Sequence, residues 1–330
     1  MESAIHRCSS ICLLIAMILT AVALDVSASA PTKVTLKVVD EQGEPVVNAK
    51  AWVNFYAKQG LFGRDEVKST NTARGGVAVI SGESMSAIDY GAVKDGYYAT
   101  LNRFFFERPE GSYRFGRYEP WNPILELVLK KIRNPVSLYV RNMEIDLQER
   151  FISIPGKDMK YGFDLVEADW VMPYGKGVNA DFVFEFFGSA VSPRVFDFSL
   201  NLSFTNDGDG IQAISSPVRY TSDLRLPHEA PADGYKDHLN QRFARDETHY
   251  THRDFPEDRN YFFRVRTRKN ERGEIISALY GKIHGNIGFH TAGQIGFTYY
   301  LNPRENERNL EFDRAKNLAT GDRAELFFKP

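Results

Sequence analysis

The chain has 330 residues, with 41 Lys plus Arg set against 43 Asp plus Glu and a formal net charge of −2. That balance leaves no basic excess to neutralise a phosphate backbone, so nucleic acid is excluded as an expected partner. The 24 Phe and 16 Tyr residues make a composition suited to sheets rather than to helical bundles.

The first predicted element is a leader. His6 and Arg7 precede an apolar run from Ile11 to Ala23 that only Thr20 interrupts. This falls short of the ~20 residues needed to span a bilayer, and small residues follow at signal-peptidase spacing. Cleavage is expected after Ala23, with Ala30 as the alternative; Pro31 directly after Ala30 disfavours the second site. Residues 1–23 therefore read as a signal peptide. The mature protein is expected to be exported, whether periplasmic, cell-surface or extracellular, with no integral membrane segment after leader cleavage. Both cysteines, Cys8 and Cys12, fall in the leader. The mature chain then lacks disulfides and cysteine metal sites, and no cofactor is expected. Its length of about 300 residues suffices to bury roughly 75% of the unfolded surface without such staples.

From Lys33 onward the hydrophobic period is two. Val34, Leu36 and Val38 alternate with Thr35 and Lys37, and Ala49, Ala51, Val53 and Phe55 alternate with Lys50, Trp52 and Asn54, the pattern of half-buried strands. Asp40-Glu41-Gln42-Gly43 is a turn between them. Val77 to Ile80 and Ile124 to Leu129 read as further strands.

The run Val38-Val39-Asp40-Glu41-Gln42-Gly43-Glu44-Pro45-Val46-Val47-Asn48-Ala49-Lys50-Ala51-Trp52-Val53 resembles the opening of the carboxypeptidase regulatory-like domain. Thr72-Ala73-Arg74-Gly75 and Lys94-Asp95-Gly96-Tyr97 fit later positions of that family. Ser86-Ala87-Ile88-Asp89-Tyr90-Gly91 departs from it, with Tyr and Gly in reverse order. The resemblance covers residues 33–132 and implies a seven-stranded sandwich of the transthyretin-like or starch-binding-like type. Such domains are usually accessory or sugar-contacting modules.

Lys130 to Pro135 is the expected boundary, and residues 135–330 read as a second all-β domain. Phe196, Phe198, Leu200, Leu202 and Phe204 alternate with Asp197, Ser199, Asn201 and Ser203, predicting a core strand with one wet face. Asn206 to Gly210 is a turn. Further strands are expected over Gly162–Val171, Asp181–Phe187, Tyr261–Arg268, Ile275–Phe289, Ile295–Leu301 and Ala324–Phe328. Asn270 to Gly273 is a hairpin turn. So many consecutive strands predict an antiparallel β-sandwich or jelly roll.

Chemistry has three candidate locations. Residues 227–260 break the strand rhythm and read as a long charged loop, where His249, His252 and Asp246 could converge on a metal; a solvated loop explains the same residues. On the polar side of the 275–290 strand lie Tyr280, Lys282 and His284. Arg266, with Arg264 and Arg268, could share that face if the neighbouring strand pairs in register, and this mixture of donors and aromatics suits a sugar. An ordinary solvated sheet face accounts for the same residues, since period-two alternation places polar residues there anyway. Trp170 and Tyr174 flank a Gly-rich strand end and complete the candidate ligand set. No Gly-x-Ser-x-Gly or mature cysteine supports nucleophilic catalysis. The sequence thus reads as an exported, non-catalytic binding or structural protein with a glycan or cell-envelope partner. The alternative is a secreted polysaccharide- or peptide-acting hydrolase or lyase with an accessory first domain.

Overall fold

Alternating apolar and polar side chains bury one face only when the chain is extended and paired. Every regular element among the described residues is a strand, and the fold is all-β. The computed structural model describes residues 29–56, 65–106, 113–114, 116–143, 151–217, 221–254, 256, 258–320 and 329–330. The expected leader, Cys8, Cys12 and the strand expected over residues 324–328 lie outside them. No helix among the described residues is long and apolar enough to cross a membrane.

The N-terminal lobe runs through β1 (Ala30–Asp40), β2 (Lys50–Phe55), β3 (Glu66–Asn71), β4 (Val77–Ser84), β5 (Ala87–Val93) and β6 (Thr100–Phe105). A short pair, β7 (Tyr113–Arg114) and β8 (Arg117–Tyr118), precedes β9 (Ile124–Leu129). Two sheets result, one ordered β4-β1-β9 and the other β3-β2-β5-β6. The sequence alternation decides what lies between them: Val34, Leu36 and Val38 of β1 share a core with Val53 and Phe55 of β2 and Ile88 of β5. The Asp40 carboxylate accepts from the Gln42 and Glu44 amides at 3.0 Å each. This fixes the expected turn, with Gly43 at φ 81° supplying the left-handed residue.

The second lobe begins with β10 (Val136–Asn142), β11 (Ile152–Ser153), β12 (Lys160–Asp164), β13 (Asp169–Trp170), β14 (Phe182–Ser192) and β15 (Val195–Ser203). It continues with β16 (Gly210–Ser215), β17 (His238–Arg245), β18 (Thr251–Arg253) and β19 (Arg259–Lys269). Then come β20 (Ile275–His290), β21 (Gln294–Asn302) and β22 (Phe312–Asn317). A six-stranded sheet, β13-β12-β14-β15-β17-β18, packs on a seven-stranded one ordered β16-β19-β20-β21-β10-β22, with β11 added to β21. Their shared core is aromatic, with Phe163, Phe182, Phe184 and Phe198 from one sheet meeting Phe263, Phe297 and Tyr299 from the other. Phe182 and Phe263 touch edge to face at 5.1 Å, a geometry worth about 0.5–1.5 kcal/mol beyond burial.

Two expectations need correction. The single strand expected over Gly162–Val171 is two short strands, β12 and β13, joined by a turn that the Asp164 carboxylate holds through the Val166 and Glu167 amides. Residues 227–260 are not one long loop, because they contain β17 and β18. β17 escapes a reading by period because Gln241 stands where an aliphatic would, buried between the half-buried Leu239 and Phe243. Its amide donates to the Tyr261 hydroxyl at 3.3 Å.

Close packing gives one direct prediction. A Cβ on Gly281 would overlap the Phe263 ring and the Tyr300 carbonyl oxygen. Gly281→Ala is therefore expected to cost about 1–3 kcal/mol through overpacking, read as a lowered denaturation midpoint. An unchanged midpoint would show that the flanking strands β19 and β21 yield at this point.

Candidate functional site

The site grows from an irregularity in pairing. β19 and β20 pair regularly from Tyr261↔Ile283 to Val265↔Leu279, then slip before Arg268↔Ser277. Arg266 sits at the slip with φ 55°, a conformation that suits a β-bulge and re-aims a side chain. Its guanidinium reaches across to the six-stranded sheet. Nε and Nη2 donate to the two oxygens of Asp181 at 2.7 and 2.8 Å, and Nη2 also reaches Asp164 at 3.2 Å. This is bidentate pairing in a buried setting, where such bonds are strongest. Burial works to push the Asp164 carboxyl up, but four backbone amides, those of Asn179, Val178, Glu167 and Val166, bring it below the usual carboxylate value. For Asp181 burial dominates and raises it, against the pull of Arg266 and the Leu165 amide.

Around this pair a cleft of about 700 Å³ opens at one end of the sandwich. Arg266, Thr267, Arg268 and Ser277 line it from β19 and β20. Asn179, Asp181, Thr205 and Asn206 line it from the other side, and Glu305 stands at its margin. Arg268 is exposed and donates to both Glu305 oxygens, at 2.9 and 3.0 Å. The Asn206–Gly210 turn is held to the cleft wall by Asp209, whose Oδ1 accepts the Thr267 amide at 2.8 Å. The surface offers hydroxyls, amides and two guanidinium planes, each cation already balanced by a carboxylate.

The other residues singled out in the sequence are placed differently. Tyr280, Lys282 and His284 do share one face of β20, but that face is covered. Leu226, Ala230 and Leu310 pack over Phe262 and Tyr280, Lys282 is 0% exposed and His284 8%. The expected solvated face is thus an interior one, because the segment after β16 and the residues before β22 fold across it. Arg266 does not join it; the bulge turns it to the opposite side. Trp170 is 4% exposed and its indole N–H donates to the Ser153 carbonyl, so its ring is core rather than platform. Tyr174 is exposed, edge-on to Tyr161 at 4.9 Å, and is not among the cleft residues.

The expected metal group does not assemble. Asp246 Oδ1 is held in a turn by the Thr248 and Tyr250 amides and the Thr248 hydroxyl. His249 occupies that turn at φ 65°. His252, on β18, pairs instead with Asp254 at 2.7 Å. No cluster of three potential ligands occurs among the described residues. Asn179, Ser277 and Glu305 come from separate segments, and nothing local in the sequence joins them to one another or to the Asn206–Gly210 turn.

No family model matches the chain, and no curated protein does. Among solved structures, it is similar to a 3-chlorocatechol 1,2-dioxygenase from Rhodococcus opacus 1CP at 12% identity and a TM-score of 0.25, over 33% of this chain and 62% of that one. It is also similar to BcpA, the major pilin subunit of Bacillus cereus, at 12% identity and a TM-score of 0.23, over 81% and 95% of the two chains. The full-length major pilin SpaD of Corynebacterium diphtheriae matches at 10% identity and a TM-score of 0.24, over 93% and 96%. Likenesses this slight carry no argument about what the chain does.

Proposed function

We propose that this is an exported, non-catalytic binding protein of the cell envelope whose second lobe takes a carbohydrate in the cleft beside Arg266. The observation that carries the reading is the chemistry of that cleft. Amides, hydroxyls and charge-balanced guanidinium groups from β19, from β20 and from the loops before β14, after β15 and after β21 line a space large enough for a small oligosaccharide. The leader-like start of the sequence supports export. The resemblance of residues 33–132 to the regulatory-like domain supports an accessory role for the first lobe.

Titration calorimetry against a panel of oligosaccharides tests it. The unmodified protein is expected to bind at least one member, and Arg268→Ala, an exposed change, to weaken that binding about tenfold, the worth of one hydrogen bond to a charged group. Binding unaffected by Arg268→Ala, or no binding at all, would count against the proposal.

The second reading, a secreted hydrolase or lyase, draws on Asp181 and Glu305 facing one cleft, one buried and raised, the other exposed. New reducing ends or peptide fragments, lost in Glu305→Gln, would favour it.

A further inference from the structure

Where the two lobes meet, two nitrogen-bearing side chains of β20 are buried. Lys282 on β20 stands opposite Tyr300 on β21, with Nζ 4.7 Å above the Tyr300 ring. The His284 ring lies 4.5 Å from that same ring. Among the described residues neither Lys282 Nζ nor His284 Nε2 has a hydrogen-bond partner, and both atoms are buried. Lys130, directly after β9 in the first lobe, adds a further cation, its Nζ donating to the Arg225 and Leu226 carbonyls at 3.3 and 3.2 Å. Arg225 contributes to the same field.

Among the described residues, Glu41 acts on Lys130 and Glu311 on Lys282, and Glu311 is engaged elsewhere. Its Oε1 accepts the Tyr98 hydroxyl and the Arg133 amide, both at 2.8 Å, and its Oε2 accepts the Asn134 amide at 2.7 Å. An ammonium has three donors and no acceptor. A buried donor left without a partner is costly, and native structures rarely leave one unexplained.

We propose that Lys282 and His284 together hold a small inorganic anion, of the chemistry of chloride, in the seam between the lobes. The anion would accept from the Lys282 ammonium and from the His284 imidazole in its Nε2–H tautomer.

The test is thermal unfolding of the purified protein at pH 7, in sodium chloride against sodium gluconate at equal ionic strength. Gluconate is too large for a buried seam. Chloride is expected to raise the midpoint saturably by about 3 °C at tenfold its Kd, and Lys282→Met, which keeps volume and removes the donor, to abolish the difference. If that variant does not fold, Lys130→Gln is expected to reduce the chloride effect. Equal midpoints in the two salts, or a chloride effect undiminished in the variants, would overturn the proposal and leave a neutral amine or a bound water as the account of Lys282.

Discussion

In buffer free of small inorganic anions, Lys282→Met is expected to stabilise the protein at pH 7 by about 1–4 kcal/mol, the range seen when well-packed apolar groups replace buried charge. Burial, helped by the charges of Lys130 and Arg225, pulls the Lys282 ammonium down to about 7 from its ordinary 10.5. Between those two values the unfolded chain holds a proton that the folded chain has released. The stability of the unmodified protein should therefore rise as pH climbs from about 7 towards 10, and the full penalty should apply below 7. His284 adds to the acid side. Burial first, then the neighbouring cations, hold it well below the usual imidazole value, so stability falls further as pH drops through about 6.5. Denaturant midpoints measured from pH 6 to pH 10 check both parts. The variant should lie above the parent at pH 7 and lack the parent's rise over pH 7–10. A variant less stable than its parent would mean that the amine has a strong acceptor after all.

The second large effect lies at the cleft. Asp181→Ala removes the main partner of Arg266 and leaves a half-buried guanidinium with Asp164 alone. Breaking one side of a buried pair typically costs about 3–5 kcal/mol, and here it also deprives the Leu165 amide of its acceptor, 2.9 Å away. The combined Arg266→Met and Asp181→Leu change should cost much less, because no uncompensated charge remains. A single variant as stable as the parent would show that solvent in the cleft already screens the pair. The double change should still weaken carbohydrate binding, since it removes one guanidinium plane from the lining.

Part of this architecture was legible in the residues. The period of two through Val34, Leu36 and Val38, and again through Phe198, Leu200 and Leu202, dictates paired strands with one buried face, and those side chains fill the two cores. What period two does not reveal is which covering segment lies over the other face. Tyr280, Lys282 and His284 alternate as a wet face would, yet all three are buried, and Leu226, Ala230 and Leu310 arrive from distant positions to pack with Tyr280. The cleft was hidden for a related reason. A bulge at Arg266 reverses the side that its residue faces, and nothing in Arg-Val-Arg-Thr-Arg marks which arginine will turn. Gln241 concealed β17 by interrupting the apolar alternation at a position the fold nonetheless buries.

Binding at the bulged end of the second sandwich is the claim on which the functional reading turns, and amide hydrogen exchange with and without a bound oligosaccharide addresses it at the level of segments. Slowed exchange confined to residues 178–181, 205–209 and 266–268 is the expected outcome. Protection appearing instead on the outer face of the six-stranded sheet, or in the first lobe alone, would contradict it.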